Sequence, residues 1–148
     1  MSKAMAFDNG KIYIVEPATG LHEDFCRVID FNIFMVSGTF DQHLRAHGST
    51  YVESLRKLEP DCSFGPAPGI GAICPDGLTW SEYHTLKVEV GISRGWYQLD
   101  RRADQWRQFP GVQYILCIHL ALATWVCEYK LFVVNDASSP LPAMAPIP

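Results

Sequence analysis

The sequence lacks the long apolar runs and the basic excess that define several large classes of protein. No apolar run approaches the roughly 18 residues of a transmembrane helix, and the first residues, MSKAMAFDNGKIY, lack the apolar core of a signal peptide. We therefore expect an intracellular protein, cytoplasmic or nuclear, without a membrane segment. The net charge of −4 argues against broad, charge-driven binding of nucleic acid but is compatible with a local basic face.

Common cysteine, zinc and phosphate-binding motifs are also missing. The five cysteines are an odd number without a C-x-x-C pair, and three of them lie in apolar runs, which favours buried, reduced thiols. The histidines form no H-E-x-x-H motif, so a zinc site is disfavoured. The glycines of PGIGAI are not followed by Lys-Ser or Lys-Thr, so this stretch predicts a turn rather than a phosphate loop.

The composition is that of one globular domain. A chain of 148 residues with 48% hydrophobic and 19% charged residues is long enough to close a single core. The final segment, ASSPLPAMAPIP, contains four prolines and no charge, so it can form neither a helix nor a central strand. We predict a domain over residues 1–136 and an extended proline-rich tail over residues 137–148.

Apolar periodicity divides the domain into helix and strand patterns. Dense apolar residues from 21 to about 44 predict a largely buried helix, and apolar residues at helical spacing predict an amphipathic helix over about 94–108. Strands are predicted for GKIYIVEP, STYVESL, TLKVEVGI, VQYILCIHLAL and TWVCEYKLFVV, with a turn-rich excursion over residues 61–83. This order predicts an α/β fold with a mixed sheet and helices packed on it.

Two stretches place carboxylates where an ordinary core holds apolar residues: LEPDCSFGP at 58–66 and LKVEVG at 86–91. Because side chains alternate across a strand, Lys87 and Glu89 share one face of LKVEVG. Pro60 fixes the backbone at the point where Asp61 enters the segment that follows it. Two carboxylates on one rim repel each other unless a divalent cation bridges them, and oxygen ligands suit Mg²⁺ or Mn²⁺. The alternatives are an edge strand with a solvated face and a turn-forming Asp.

The order and spacing of these motifs resemble the PD-(D/E)XK nuclease superfamily, in a divergent branch with the pattern PD.SF.P, L.VEVG.S, L…A..W and V…L.I. The resemblance covers residues 20–134, and the matching positions are Pro60, Asp61, Ser63, Phe64, Pro66, Leu86, Val88, Glu89, Val90, Gly91, Ser93, Leu99, Ala103 and Trp106. It implies a restriction-endonuclease-like core, in which a mixed sheet of four or more strands is flanked by helices. It also implies cleavage of nucleic-acid phosphodiesters with Mg²⁺ or Mn²⁺, with Asp61, Glu89 and, on the first helix, Glu23 as metal ligands.

One departure from that pattern bears on catalysis. The superfamily places a Lys two residues beyond the second acid, and this sequence has Gly91 there. Lys87, on the face of Glu89, and Arg102, on the following helix, are the candidates to replace it by neutralising charge on the phosphate or orienting the attacking water. Gln98 is a weaker candidate for positioning water. Each of the two basic residues would otherwise be an ordinary solvated side chain.

Two classes of function follow from these observations. The first is a metal-dependent nuclease acting on DNA or RNA. The second is a nuclease-fold protein without catalysis that serves as a nucleic-acid-binding or protein-interaction module, which the missing lysine and the acidic net charge favour. Nucleic acid is the expected partner, and a homodimer is compatible with both classes. The candidates for a local basic face are Arg94, Arg101, Arg102 and Arg107.

Overall fold

The computed structural model describes residues 5–8, 11–14, 20–39, 42–53, 55, 58–92, 94–124, 126–134 and 145–146. Within them the chain order is β1 (Met5–Asp8), β2 (Lys11–Ile14), α1 (Gly20–Ser37), β3 (Leu44–Ala46), β4 (Cys62–Pro66), β5 (Leu86–Gly91), α2 (Trp96–Trp106), β6 (Tyr114–Ala121), β7 (Val126–Val133) and β8 (Ala145–Pro146). Within these ranges, neither α1 nor α2 is long and apolar enough to cross a membrane.

The main sheet has the strand order β3-β4-β5-β6-β7, and the two-residue strand β8 pairs with the outer edge of β7. Strands β5 and β6 are parallel, and every other pairing in the sheet is antiparallel. A parallel pair requires a crossover connection, which here contains α2. Strands β1 and β2 form a separate antiparallel hairpin. The predicted α/β class with a mixed sheet is therefore confirmed.

The two helices pack on opposite faces of the sheet. Helix α2 buries Leu99, Ala103 and Trp106 against the face that presents Ile115 and Phe132. On the other face, the inner side of α1 packs over apolar residues of β4, β5 and β6, namely Cys62, Phe64, Val88, Val90 and Ile118. Strand β5 is central, so its alternating side chains enter both layers, and Lys87 and Glu89 point into the layer under α2.

Three predicted elements differ from the observed ones. Helix α1 ends at Ser37 rather than near residue 44, because Gly38 adopts a left-handed backbone with φ of 65° and its N–H bonds to the carbonyl of Phe34. The described part of STYVESL forms turns rather than a strand. Residues 62–66, predicted as part of a turn-rich excursion, form the fully buried strand β4. Short strands between turn residues carry too few positions for periodicity to register.

The predicted tail, residues 137–148, is described only at Ala145–Pro146, which form β8 at the edge of the sheet. A proline is tolerated at a sheet edge because its missing N–H need not enter a ladder.

Candidate active site

Asp61 lies at the entry of β4, opposite Glu89 of β5. Cys62 pairs with Val88 across the antiparallel strands, and continuing this register by one residue places Asp61 beside Glu89. The backbone N–H of Val90 donates to Oδ2 of Asp61 at 2.7 Å, which fixes this carboxylate against the backbone of β5. Asp61 therefore lies one residue before β4, beside the backbone of β5, but its carboxylate contacts α1 whereas the carboxylate of Glu89 lies under α2.

Helix α1 contributes His22 to Asp61. Nε2 of His22 lies 3.3 Å from Oδ1 of Asp61, and both side chains are about nine-tenths buried. Hydrogen bonds to Asp61 and Cys26 raise the pKa of His22 to about 10, against the lowering effect of burial. Burial alone would raise the pKa of Asp61, but the bonds from His22 and from the N–H of Val90 together lower it. At neutral pH the two groups therefore form an imidazolium–carboxylate pair.

Glu89 is completely buried beneath α2. Its Oε1 accepts hydrogen bonds from Nε1 of Trp106 at 2.6 Å and from Nε of Arg102 at 3.2 Å, and Nη2 of Arg102 lies 3.0 Å away. Its Oε2 is buried without a hydrogen-bond partner among the described residues. Burial raises the pKa of Glu89, the charge on Arg102 opposes that shift, and the charge on Asp61 adds to it.

Arg102 joins α2 to both segments that carry the acids. In addition to Glu89, its guanidinium donates from Nη2 to the backbone carbonyl of Glu59, two residues before Asp61. The guanidinium carbon lies 5.5 Å from the ring centroid of Trp106, a distance at which cation–π attraction contributes. Of the two predicted substitutes for the missing lysine, Arg102 is the one that reaches an acid.

Lys87 is buried on the same face but bonds elsewhere. Its Nζ lies 2.5 Å from Nδ1 of His84 and 4.3 Å from the ring centroid of Trp106, and it forms no ion pair with Glu89. Burial lowers the pKa of Lys87 to about 7. Burial and the charge of Lys87 lower the pKa of His84 to about 3, so its ring is neutral. Nε2 of His84 lies 2.7 Å from the carbonyl of Ser81, which assigns the ring proton to Nε2 and leaves Nδ1 to accept from Lys87.

The remaining predicted site residues lie at the periphery. Gln98 is exposed in the first turn of α2 and makes no hydrogen bond to either acid. The side chain of Glu23 is 51% exposed, with its Oε1 3.8 Å from Nδ1 of His22. Within the described residues, no group of three or more His, Cys, Asp or Glu side chains is arranged to hold a metal ion. The predicted three-carboxylate set is therefore not assembled in this conformation.

The arginines of the predicted basic face on and beside α2 differ in burial and in partners. Arg107 is buried, with Nη1 3.5 Å from Oδ1 of Asp104, and Arg102 is engaged beneath the helix. Arg101 lies over the ring of Tyr97. Of the four predicted arginines, Arg94 acts on both acids through its charge, which lowers the pKa of Asp61 and of Glu89.

Gly91 stands where the nuclease pattern that the sequence resembles has lysine, and the packing accounts for a glycine at this position. A Cβ at this position would lie 2.8 Å from the carbonyl oxygen of Arg94 and 3.0 Å from Cδ1 of Leu99. The approach of α2 and its preceding turn to the end of β5 therefore leaves room for glycine alone. Restoring the lysine would require α2 to shift.

Sequence reasoning missed two residues of this site. His22 belongs to no zinc motif, and the sequence signal for it is its place four residues before Cys26, on the side of α1 that faces the sheet. The helical apolar spacing of α2 indicates Trp106 only as a core residue; it is buried, and its indole N–H also bonds to Glu89. An indole N–H that is fully buried requires an acceptor, so a core Trp near a buried acid is a signal in its own right.

Comparisons with protein-family models, with curated proteins and with solved structures found no match to this chain. The fold and the geometry of the acids are therefore the basis for assigning a function.

Proposed function

We propose that this chain is a nuclease of the restriction-endonuclease-like type that hydrolyses phosphodiester bonds of DNA or RNA with Mg²⁺ or Mn²⁺ bound at Asp61 and Glu89. The observation that carries the proposal is Oε2 of Glu89, a carboxylate oxygen with no hydrogen-bond partner in the described part of the chain although it is fully buried. Leaving such an oxygen unsatisfied costs about 1–3 kcal/mol or more, which a bound ligand would offset.

The topology supports the same proposal. Helix α1 precedes the antiparallel pair β4–β5, and α2 then crosses to the parallel strand β6. This is the order of a mixed sheet flanked by helices that the resemblance implies, and the two acids lie one residue before β4 and within β5. The donors are carboxylate oxygens, which suit Mg²⁺ and Mn²⁺.

In the proposed reaction the residues have separate roles. Asp61 and Glu89 would hold the cation, which supplies Lewis-acid activation of water and of the phosphate. Arg102 would neutralise charge that develops on the phosphate or orient the nucleophilic water, from its position beside Glu89. Lys87 is directed to His84 and the ring of Trp106, so it lies within the layer under α2 and would not contact substrate.

A second function is favoured by the way in which both acids are already paired. His22 neutralises Asp61, Arg102 neutralises Glu89, and Gly91 has no space for the family's lysine. A site with these internal pairs is stable without metal, which is what a catalytically inactive nuclease-fold protein requires. Such a protein would act as a nucleic-acid-binding or protein-interaction module.

The deciding experiment incubates the purified protein with single- and double-stranded DNA and RNA, with Mg²⁺, with Mn²⁺ and with chelator. The matched control is Glu89→Gln, which keeps the shape of the side chain and its bond to Trp106 but removes the charge. Metal-dependent cleavage by the wild type and none by the control would support the nuclease. Equal cleavage by both would identify a contaminant, and no cleavage on any substrate would select the inactive module.

A further inference from the structure

Two buried cysteines lie side by side where α1 packs on β4. Cys26 is on the inner side of α1, Cys62 is the first residue of β4, and both belong to one buried cluster. Sγ of Cys62 lies 3.8 Å from the backbone carbonyl oxygen of Cys26, and a hydrogen bond joins the two thiols. Both cysteines are free thiols in this structure. The fold therefore brings together two sulfur atoms from positions 36 residues apart.

Polar side chains of α1 contact each of the two sulfurs. His22 lies one turn before Cys26, with its Nδ1 3.9 Å from Sγ of Cys26. Asp30 lies one turn after Cys26, and its side chain is hydrogen-bonded to the thiol of Cys62. Residues four apart share one side of a helix, so His22, Cys26 and Asp30 form a single stripe. Polar groups at a buried interface cost free energy that apolar side chains would not, so this stripe indicates a role beyond packing.

These contacts make Cys26 a nucleophilic thiol. A hydrogen bond from Cys62 lowers the pKa of Cys26 to about 6, and the hydrogen bond and charge of His22 add to this effect, against the opposing effect of burial. The thiolate is the form of cysteine that reacts with peroxides. Cys127 is the contrasting case, because burial and the charge of Glu128 raise its pKa although the residue is exposed.

Burial limits the reagents that can reach the pair. Cys26 is 7% exposed and Cys62 is 1% exposed. Exposure of this size admits an oxidant hardly larger than water, such as hydrogen peroxide, but not a bulky thiol such as glutathione. The thiol in contact with Cys26 is that of Cys62, so an oxidised Cys26 would react within the fold.

We propose that Cys26 and Cys62 are a redox-active pair, which hydrogen peroxide oxidises to a disulfide that links α1 to β4. The sulfur of Cys26 attacks one peroxide oxygen, the O–O bond breaks, and the leaving hydroxide becomes water with a proton for which His22 is a donor. The sulfur of Cys62 then attacks the sulfenic acid of Cys26, the S–O bond breaks, and a second water leaves with the thiol proton of Cys62, which Asp30 is placed to accept and pass on. The two sulfurs together lose the two electrons that reduce the peroxide. The inference is independent of the proposed nuclease activity.

Peptide mapping of the oxidised protein tests the pair. The reduced wild-type protein is treated with hydrogen peroxide at pH 7, and the remaining thiols are alkylated in denaturant. Non-reducing digestion with a protease that cuts between Cys62 and Cys74 should give a linked peptide pair containing Cys26 and Cys62, which dithiothreitol separates. Cys26 should react at least about tenfold faster than the exposed Cys127, because the thiolate is the reactive form.

Two variants separate the roles of the thiols. In Cys62→Ser the sulfenic acid of Cys26 lacks its partner, so dimedone should label Cys26 and the intramolecular link should be lost. Cys74→Ser is the matched control, because the thiol of Cys74 bonds to the carbonyl of Leu78 and takes no part in the pair. This variant should form the link between Cys26 and Cys62 at the rate of the wild type.

The wild-type map decides the proposal even if Cys62→Ser fails to fold. Oxidation of Cys127 or Cys74 ahead of Cys26 would overturn it. So would a wild-type protein whose Cys26 stays reduced, or whose Cys26 proceeds to sulfinic acid without a link to Cys62.

Discussion

Replacing Arg102 by Met removes the cation that neutralises Glu89 in the fully buried layer between α2 and the sheet. The guanidinium makes two contacts to Oε1 of Glu89, at 3.2 and 3.0 Å, and a third bond to the carbonyl of Glu59. Methionine matches the aliphatic length of the side chain and can pack on Trp106, so the substitution tests charge and hydrogen bonding more than volume.

The expected loss of stability is about 3–5 kcal/mol at pH 7, which is typical when one partner of a buried ion pair is removed. The loss is limited because Glu89 can protonate, and its pKa is already raised by burial. The double variant Arg102→Met/Glu89→Gln should recover a large part of the loss, since the amide carries no charge and still accepts from Trp106. We expect a coupling of at least about 2 kcal/mol between the two positions.

Urea denaturation of the four proteins in this cycle, at several pH values, measures the coupling. With the pKa of Glu89 raised in the folded state, the folded protein binds the extra proton between the unfolded value of 4.5 and the folded value, so stability falls as the pH rises through that window. Arg102→Met should raise the pKa of folded Glu89 further and so extend this fall to higher pH, and the double variant should lack it. Additive losses, with Arg102→Met costing under about 1 kcal/mol, would refute the role of Arg102 as the partner of Glu89.

Three further predictions concern the surrounding residues. Lys87→Met should stabilise the protein by about 1–4 kcal/mol at pH 6, as measured by urea denaturation. The buried ammonium has a pKa of about 7, so the cost of burying its charge is relieved only as the pH rises from 7 towards 10.5. A destabilised variant would show that the bond to His84 outweighs the cost of burial. His22→Gln should lower the free energy of unfolding by about 1.5–3 kcal/mol at pH 6. This loss should shrink as the pH rises from 6.5 through 10, because the imidazolium of the wild type is deprotonated over that range. A loss of stability that is independent of pH would contradict the ion pair with Asp61. Gly91→Ala should cost about 1–3 kcal/mol through its contacts with α2, whereas Gly20→Ala, which meets nothing within 4 Å, should be neutral or stabilising in thermal melts.

The sequence predicted the class of fold because its strongest signals were local ones. The spacing of Leu99, Ala103 and Trp106 defined the amphipathic helix α2, and the alternation in LKVEVG defined a strand with Lys87 and Glu89 on one face. The pattern in α2 records which side of the helix is buried, whereas both faces of β5 are buried and its alternation separates an apolar layer from a charged one. The end of α1 depends on the turn at Gly38, and β4 depends on pairing with β3 and β5; periodicity encodes neither.

The acids of the candidate site were predictable, but their partners were only partly so. Asp61 and Glu89 appeared as carboxylates in apolar segments, and Arg102 was one of two candidates, with Lys87, to replace the lysine of the resembled pattern. His22 could not be placed because its contact with Asp61 joins residues 39 positions apart and depends on where α1 crosses the sheet. The sequence also could not show whether Lys87 or Arg102 contacts an acid, because the direction of the Lys87 side chain is set by its bond to His84.

The pairing of each acid with its own cation determines how metal could bind. Among the described residues Oε2 of Glu89 has no hydrogen-bond partner that a cation would have to displace, whereas both oxygens of Asp61 have partners, one in Val90 and one in His22. A cation bound between the acids must therefore compete with the charge of His22, so removing that charge should favour binding. We expect Mn²⁺ to raise the melting temperature more in His22→Gln than in the wild type, by preferential binding to the folded state, and to have no effect in Glu89→Gln. A smaller shift in His22→Gln would mean that the imidazole assists the metal rather than opposing it, and an undiminished shift in Glu89→Gln would place the ion elsewhere.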